Sequence, residues 1–170
     1  LYAETADRVV EELFGGDTEP PSDLLHVSCT GYASPSPIQR LIALKRWHVR
    51  TQATQIYHMG CYAAVPAVRI AAGLLKDRTG QRTRRADIVH TELCTLHFDP
   101  GDHSPEQLVI QSLFADGHIR YALVAGEAGP AQLVAAAGLE HYVLGHVFLG
   151  DPHAALVAAD GAAERVGHFQ

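Results

Sequence analysis

The segment best suited to covalent chemistry spans residues 57–64 and contains Cys61 directly after Gly60. A short strand over 53–57 is expected to run into this turn, and an Ala-rich helix over 62–75 follows it. The sulfur of Cys61 would then lie at a helix N-terminus, where unpaired N–H groups and the helix dipole favour thiolate over thiol. Small neighbours would let an acyl group approach, and backbone N–H groups would hold a thioester oxyanion. The pattern predicts an acyl-accepting nucleophile, and a small buried hydrophobic residue is the alternative interpretation.

Hydrophobic periodicity predicts alternating helices and strands. The helices are expected over 6–13, 38–44, 62–75 and 105–114, the last with Ser104 as its N-cap, and the strands over 24–29, 53–57, 86–93 and 119–125. This alternation predicts an α/β layer structure. The helix over 62–75 is apolar almost all round, which predicts an interior position. The apolar runs over 133–139, 142–149 and 154–159 do not distinguish helix from strand.

Composition excludes several classes of function. The 170 residues include 47% hydrophobic side chains and carry a formal charge of −6 without a basic stripe, so one packed domain is expected and a nucleic-acid partner is not. No apolar run reaches the roughly 18 residues that cross a bilayer. We therefore expect a cytoplasmic protein with no membrane partner.

Metal and disulfide chemistry are also disfavoured. The cysteines are Cys29, Cys61 and Cys94. Their odd number and the absence of CxxC spacing predict free thiols. His141 and His146 are five residues apart and His153 follows seven later, which is not the i,i+4 pair of a helical zinc site, so no metal is predicted. A Cys–His hydrolase stays an alternative that lacks a recognisable orienting asparagine.

Four short blocks follow one another along the chain. They are Ser28-Cys29-Thr30-Gly31-Tyr32 with Ser34-Pro35, Gly60-Cys61-Tyr62-Ala63-Ala64 with Arg69 and Ala71, Thr91-Glu92-Leu93-Cys94, and Gln111-Ser112-Leu113-Phe114-Ala115-Asp116-Gly117. Each block alone is weak, but their order and spacing together are specific. From about residue 5 to 125 the chain resembles the middle portion of type III polyketide synthases, the chalcone-synthase-like family, and more particularly its bacterial members.

The resemblance implies a partial thiolase-like fold, a layered αβαβα arrangement that acts as a homodimer. The implied reaction is a decarboxylative Claisen condensation that uses acyl-CoA and malonyl-CoA as substrates and no further cofactor. Cys61 matches the nucleophile, and Phe114 matches the aromatic residue between the CoA tunnel and the cavity. Cys29, Cys94 and His97 match cavity-lining positions that influence starter size and cyclisation.

Each of these positions also has a structural interpretation. Periodicity alone places Phe114 in the core, Cys29 could simply pack, and His97 could be a surface histidine. Glu92 would be costly to bury unpaired, so it is either hydrogen-bonded for structure or holds a loop near the site; we favour the structural role. The basic cluster over 78–85 favours a solvated connector over a contact with CoA phosphates.

The chain departs from the family in the residues that complete the site. Family members add a histidine in a His-Pro-Gly-Gly type segment and an asparagine, but neither motif occurs here and the chain contains no asparagine. We expect residues 1–125 to form the thiolase-like region and 126–170 a poorly matched C-terminal segment of the same domain. The chain is expected to be a fragment, a truncated product or one part of a larger assembly. The alternative function is therefore a non-catalytic or truncated thiolase-like subunit used in assembly or acyl binding.

Overall fold

The computed structural model describes residues 1–77 and 85–124 with their side chains, and the backbone of 132–138 and 156–158. The helices are α1 (Tyr2–Leu13), α2 (Pro37–Leu44), α3 (Ala64–Asp77) and α4 (Pro105–Leu113). The strands are β1 (Asp23–Ser28), β2 (Gln52–Tyr57), β3 (Arg85–Glu92), β4 (Gly117–Val124), β5 (Gln132–Gly138) and β6 (Leu156–Ala158). Each helix and strand expected between residues 6 and 125 is present, and α1 begins earlier than expected.

The chain beyond residue 125 was ambiguous in sequence and is described only in part. Strand β5 overlaps the run over 133–139, and β6 lies within the run over 154–159. The run over 142–149 and the four late histidines lie outside the described residues, as does most of the basic connector. Those histidines are His141, His146, His153 and His168.

The strands form one sheet in the order β2-β1-β3-β4-β5-β6. Strands β2, β1 and β3 are parallel, so their carboxyl ends, at Tyr57, Ser28 and Glu92, lie along the same edge. Strand β4 is antiparallel to β3 and begins at that edge, where Gly117 pairs with Glu92. We call this the site edge, defined by these four residues. Because each sequence block lies at one of these strand ends, the topology brings all four blocks together.

Helices cover both faces of the sheet. Helices α1 and α2 pack on one face around a cluster made of Val10, Phe14, Leu24, Ile38, Leu41, Ile42, Trp47 and Val89. Helix α3 packs on the other face, where Ala67, Ala71 and Leu75 recur every fourth residue and meet alternate residues of β1 and β3. Leu24 and Leu25 are both fully buried, which is expected of a parallel strand covered on its two faces.

The prediction that the helix over 62–75 lies in the interior is wrong for the part of the chain that the structure describes. Its outer side, including Arg69, Ile70 and Gly73, is exposed, because no described element packs over it. Pro66 is the third residue of α3, where a backbone N–H has no partner within the helix, so it is tolerated. Helix α3 therefore has more apolar surface than the described elements cover.

A buried ion network joins α1 to β3 and β4. Arg120 donates to Asp87 Oδ2 from Nε at 3.0 Å and from Nη2 at 2.6 Å, and it also binds Asp17. Arg85 pairs with the same two carboxylates. The guanidinium of Arg120 lies 3.7 Å above the Phe14 ring, which adds a cation–π contact. The network holds the loop after α1 against the sheet.

None of the helices within residues 1–77 and 85–124 is long and apolar enough to span a membrane.

Candidate active site

The elbow that carries Cys61 forms as the sequence predicts, with one difference in its first turn. Gly60 has φ 73° and ψ −173°, a backbone conformation that only glycine adopts without strain. Cys61 opens a 3₁₀ turn, Cys61–Ala63, which leads directly into α3. The Cys61 side chain is exposed, so the interpretation as a small buried hydrophobic residue is wrong. The thiol is accessible at the N-terminal end of a continuous helical segment.

The elbow is anchored by Tyr57, the last residue of β2. Its hydroxyl lies 2.6 Å from Nδ1 of His26, and its ring meets the His26 and Tyr32 rings edge to face. The backbone N–H of His58 donates to the Ser28 carbonyl at 3.1 Å. These contacts tie the chain just before Cys61 to β1 and the segment that follows it.

A buried chain of polar side chains continues from this anchor and was not predicted from sequence. Nε2 of His26 lies 2.6 Å from Thr91 Oγ1, and the Tyr2 hydroxyl donates to Ser28 Oγ at 2.8 Å and lies 3.4 Å from Thr91 Oγ1. The feature of the sequence that could have indicated it is His26, a histidine within the apolar run of β1. Gly31 is required beside this chain, because a Cβ there would lie 2.2 Å from the Tyr2 ring.

Acid will destabilise the fold through His26. The side chain is fully buried, and burial lowers its pKa to about 4, from an ordinary value of about 6.5. The unfolded chain therefore binds a proton at a pH where the folded chain does not. The contribution of neutral His26 to the stability of the fold is complete above about pH 6.5 and is lost as the pH falls toward 4. We expect a loss of about 1.4 kcal/mol per pH unit, or about 3 kcal/mol across the window.

The measurement is the free energy of unfolding in urea between about pH 5 and 7.5. His90 adds in the same direction, because burial lowers its pKa to about 4 as well. The variant His26→Gln should flatten the dependence of stability on pH. The control His48→Gln, at an exposed histidine, should leave the slope unchanged. Equal slopes for wild type and His26→Gln would contradict the assignment.

Glu92 clamps the segment that follows β1. Its carboxylate accepts hydrogen bonds from the backbone N–H of Cys29 at 3.0 Å, from that of Thr30 at 3.1 Å and from Thr30 Oγ1 at 2.7 Å. The hydrogen-bonded structural role favoured from sequence is confirmed. Because the clamped segment carries Cys29, Glu92 also holds a loop at the site edge.

The environments of Cys29 and Cys94 keep their thiols protonated. Burial, with the Glu92 carboxylate as the next cause, raises the pKa of Cys29 to about 12. Burial, Glu92 and Asp116 also raise the pKa of Cys94. Each of the three cysteines follows a strand that ends at the site edge. Since the thiolate is the nucleophile, Cys29 and Cys94 are suited to lining a cavity rather than to attack.

The remaining predicted residues also lie at the site edge. His97 ends a 3₁₀ turn, Cys94–His97, and although exposed it donates from Nε2 to the Thr30 carbonyl at 2.8 Å. Asp116 holds the same turn through the N–H and hydroxyl of Thr95, at 2.8 and 2.7 Å. The side chain of Phe114 is 47% exposed, so its interpretation as a core residue is wrong within the described part of the chain.

The described residues contain no group of three or more His, Cys, Asp or Glu side chains arranged to hold a metal ion. The reactive feature of the site edge is instead the accessible thiol of Cys61, and Cys29, Cys94 and His97 follow the neighbouring strands β1 and β3. This arrangement suits transfer of an acyl group to sulfur.

Comparison with known proteins gives a family match. A family model described as "Chalcone and stilbene synthases, N-terminal domain" matches residues 1–130. The chain is 33% identical over 110 residues to "Probable polyketide synthase 1" of Dictyostelium discoideum, which covers 65% of this chain and 3% of that protein. It is also 33% identical over 106 residues to 1,3,6,8-tetrahydroxynaphthalene synthase of Streptomyces coelicolor. That match covers 62% of this chain and 27% of the synthase.

Solved structures give the same result. The C-terminal type III polyketide synthase domain of a type I/III hybrid from Dictyostelium superposes with a TM-score of 0.58 and 27% identity, over 77% of this chain and 38% of that one. The crystal structure of the Streptomyces coelicolor tetrahydroxynaphthalene synthase superposes with a TM-score of 0.58 and 27% identity. The match covers 76% of this chain and 37% of that one. The prediction of a partial thiolase-like α/β fold is confirmed. The chain spans well under half of each of these relatives, and it belongs to the chalcone and stilbene synthase family of type III polyketide synthases.

Proposed function

We propose that this chain is the nucleophile-bearing part of an acyltransferase that receives an acyl group from an acyl-CoA on Cys61 and condenses it with a malonyl-CoA unit. The observation that carries the proposal is the exposed Cys61 thiol on a glycine elbow, at the edge where all four family blocks meet. Family membership supports the reaction class. CoA thioesters as the substrates, the absence of a further cofactor and the homodimer are parts of the same proposal.

The loading step needs little beyond what this chain holds. The Cys61 thiolate attacks the carbonyl carbon of the acyl-CoA, and the bond from that carbon to the CoA sulfur breaks, so the CoA thiolate leaves and takes up a proton. The N–H groups at the start of a helical segment have no partner within it and can stabilise the oxyanion that forms between these events. Cys29, Cys94, His97 and Phe114 would line the space that the acyl group enters.

The condensation step needs more. Malonyl-CoA loses carbon dioxide, and the resulting carbanion attacks the acyl carbon on Cys61, which releases the cysteine thiolate and leaves a β-ketoacyl-CoA. The resemblance assigns oxyanion stabilisation in this step to a histidine and an asparagine, and the chain contains no asparagine. We therefore propose condensation for an assembly that supplies these groups and loading for the chain itself.

One observation favours the alternative of a non-catalytic subunit used in assembly or acyl binding. Helix α4 leaves Leu108, Val109 and Leu113 about half exposed, and Gln107 is its one buried residue, which is typical of a surface that pairs with further protein. This alternative predicts acyl binding without any product from malonyl-CoA. Formation of a triketide or longer product by the isolated chain would rule it out.

Intact-mass spectrometry tests the proposal. Incubation of the chain with acetyl-CoA or hexanoyl-CoA should add one acyl mass per chain, and neutral hydroxylamine should remove it because it cleaves thioesters. Peptide mapping should place the adduct on the peptide that contains Cys61. An unmodified chain after prolonged incubation, or an adduct confined to another residue, would contradict the proposal.

A further inference from the structure

The segment after β1 and the turn after β3 are joined through one residue, Thr30. Its hydroxyl donates to Glu92 at 2.7 Å and accepts from the backbone N–H of Leu93 at 2.8 Å. Its backbone N–H donates to Glu92 at 3.1 Å, and its carbonyl accepts from His97 Nε2 at 2.8 Å. All the polar groups of Thr30 are thus used across the gap between the two segments.

These bonds join the segment that carries Cys29 to the Cys94–His97 turn, which we call the two walls; both follow strands that end at the site edge, as the Cys61 elbow does. Cys29 directly precedes Thr30, and Cys94 directly follows Leu93, so each flanking thiol is one residue from an atom of this tie. A valine at position 30 has the same shape but can neither donate to Glu92 nor accept from Leu93. Because Leu93 is only 5% exposed, its N–H would then be left without a partner in a buried place. The hydroxyl therefore supplies two of the hydrogen bonds that set the separation of the two walls, beside those made by the backbone of Thr30.

We propose that Thr30 is a positioning residue that fixes the separation of Cys29 from the Cys94–His97 turn and so sets the length of the acyl group accepted beside Cys61. The inference rests on the proposed function for its substrate, an acyl thioester. Its geometric part, the separation of the two walls, rests on hydrogen bonds of Thr30 and does not depend on the proposed function. Without the hydroxyl the turn moves away from the Cys29 segment, and the space beside Cys61 widens.

The first test compares loading of Cys61 from octanoyl-CoA and from acetyl-CoA. In Thr30→Val the ratio of the two rates should shift toward the longer acyl group by about fivefold, the effect of one net hydrogen bond. Thr30→Ser, which keeps the hydroxyl, should restore the wild-type ratio. Thr18→Val, at an exposed threonine distant from the site edge in sequence, is the matched control. Equal slowing of both rates in Thr30→Val, with an unchanged ratio, would show a purely structural role and overturn the inference.

The second test does not depend on acyl transfer. Alkylation of Cys29 and Cys94 by iodoacetamide, measured by peptide mass spectrometry relative to Cys61, should rise about fivefold in Thr30→Val and return in Thr30→Ser. If wild type takes no acyl group from either ester, the proposed function fails while this test still decides the geometric part. Unchanged alkylation would overturn the inference. Circular dichroism checks folding, and Thr30→Ala, which removes the hydroxyl without adding a methyl group, replaces the valine variant if that one does not fold.

Discussion

Replacing Cys61 with serine will abolish acyl loading from acyl-CoA. A serine hydroxyl stays protonated at neutral pH and is a weak nucleophile without an adjacent base, whereas a cysteine has a populated thiolate. The fold should not change, because the Cys61 side chain is exposed and its sulfur fills no part of the core. Intact mass after incubation with acetyl-CoA gives the result directly, and an unchanged urea midpoint confirms that the variant is folded.

The matched control removes the other two thiols. In Cys29→Ser/Cys94→Ser, Cys61 is the one thiol left in the chain, and one acyl group per chain is still expected. Burial and the Glu92 carboxylate raise the pKa of Cys29 and Cys94, so neither is suited to attack. Acyl label that persists in Cys61→Ser and disappears in the double variant would move the nucleophile to one of these residues and refute the assignment.

Replacing Arg120 with methionine will cost about 3–5 kcal/mol of stability, which is typical of removing one partner from a buried ion pair. The side chain of Asp87 is completely buried and that of Arg120 is 6% exposed. Methionine fills much of the same volume but leaves Asp87 with Arg85 as its remaining cation at 2.7 Å. It also removes a hydrogen bond of 2.7 Å to the Leu13 carbonyl at the end of α1. Urea unfolding followed by circular dichroism measures the loss.

Arg50→Met is the matched control for this substitution. Arg50 pairs with Glu19 at 3.0 Å, but both side chains are more than half exposed, and exposed pairs contribute about 0–1 kcal/mol. The double variant Arg120→Met/Asp87→Asn should recover part of the loss, because the neutral amide is cheaper to bury than the carboxylate. Similar losses for Arg120→Met and Arg50→Met would show that the buried network does not stabilise the fold.

The local elements were predictable from sequence because their signals are local. The Ser104 N-cap of α4 accepts from the Gln107 N–H as its position in the sequence indicates. The helix of α1 and the run of β1 follow from periodicity and from a continuous apolar stretch. The four blocks were also identified in the right order. Their meeting at one edge follows from parallel pairing of three strands, which no local pattern encodes.

Two interpretations failed for the same physical reason. Periodicity placed Phe114 in the core, and composition placed the helix over 62–75 in the interior, yet Phe114 is 47% exposed and α3 has one exposed side. An apolar pattern indicates that a surface will be buried, but it does not identify the element that buries it. Among the described residues, no element covers these surfaces.

The glycine elbow that presents Cys61 between a strand and a helix could be predicted from the sequence, because a turn of this kind depends only on adjacent residues. Which side chains hold the neighbouring strand ends together depends on how the strands pair. Glu92 reaches Cys29 across 63 positions and His26 reaches Thr91 across 65, and partners so distant in the chain are brought together by strand register. The elbow that carries Cys61 was therefore predictable from one segment of sequence, whereas the contacts between the neighbouring strand ends, those of Thr30 included, exist only in the folded sheet.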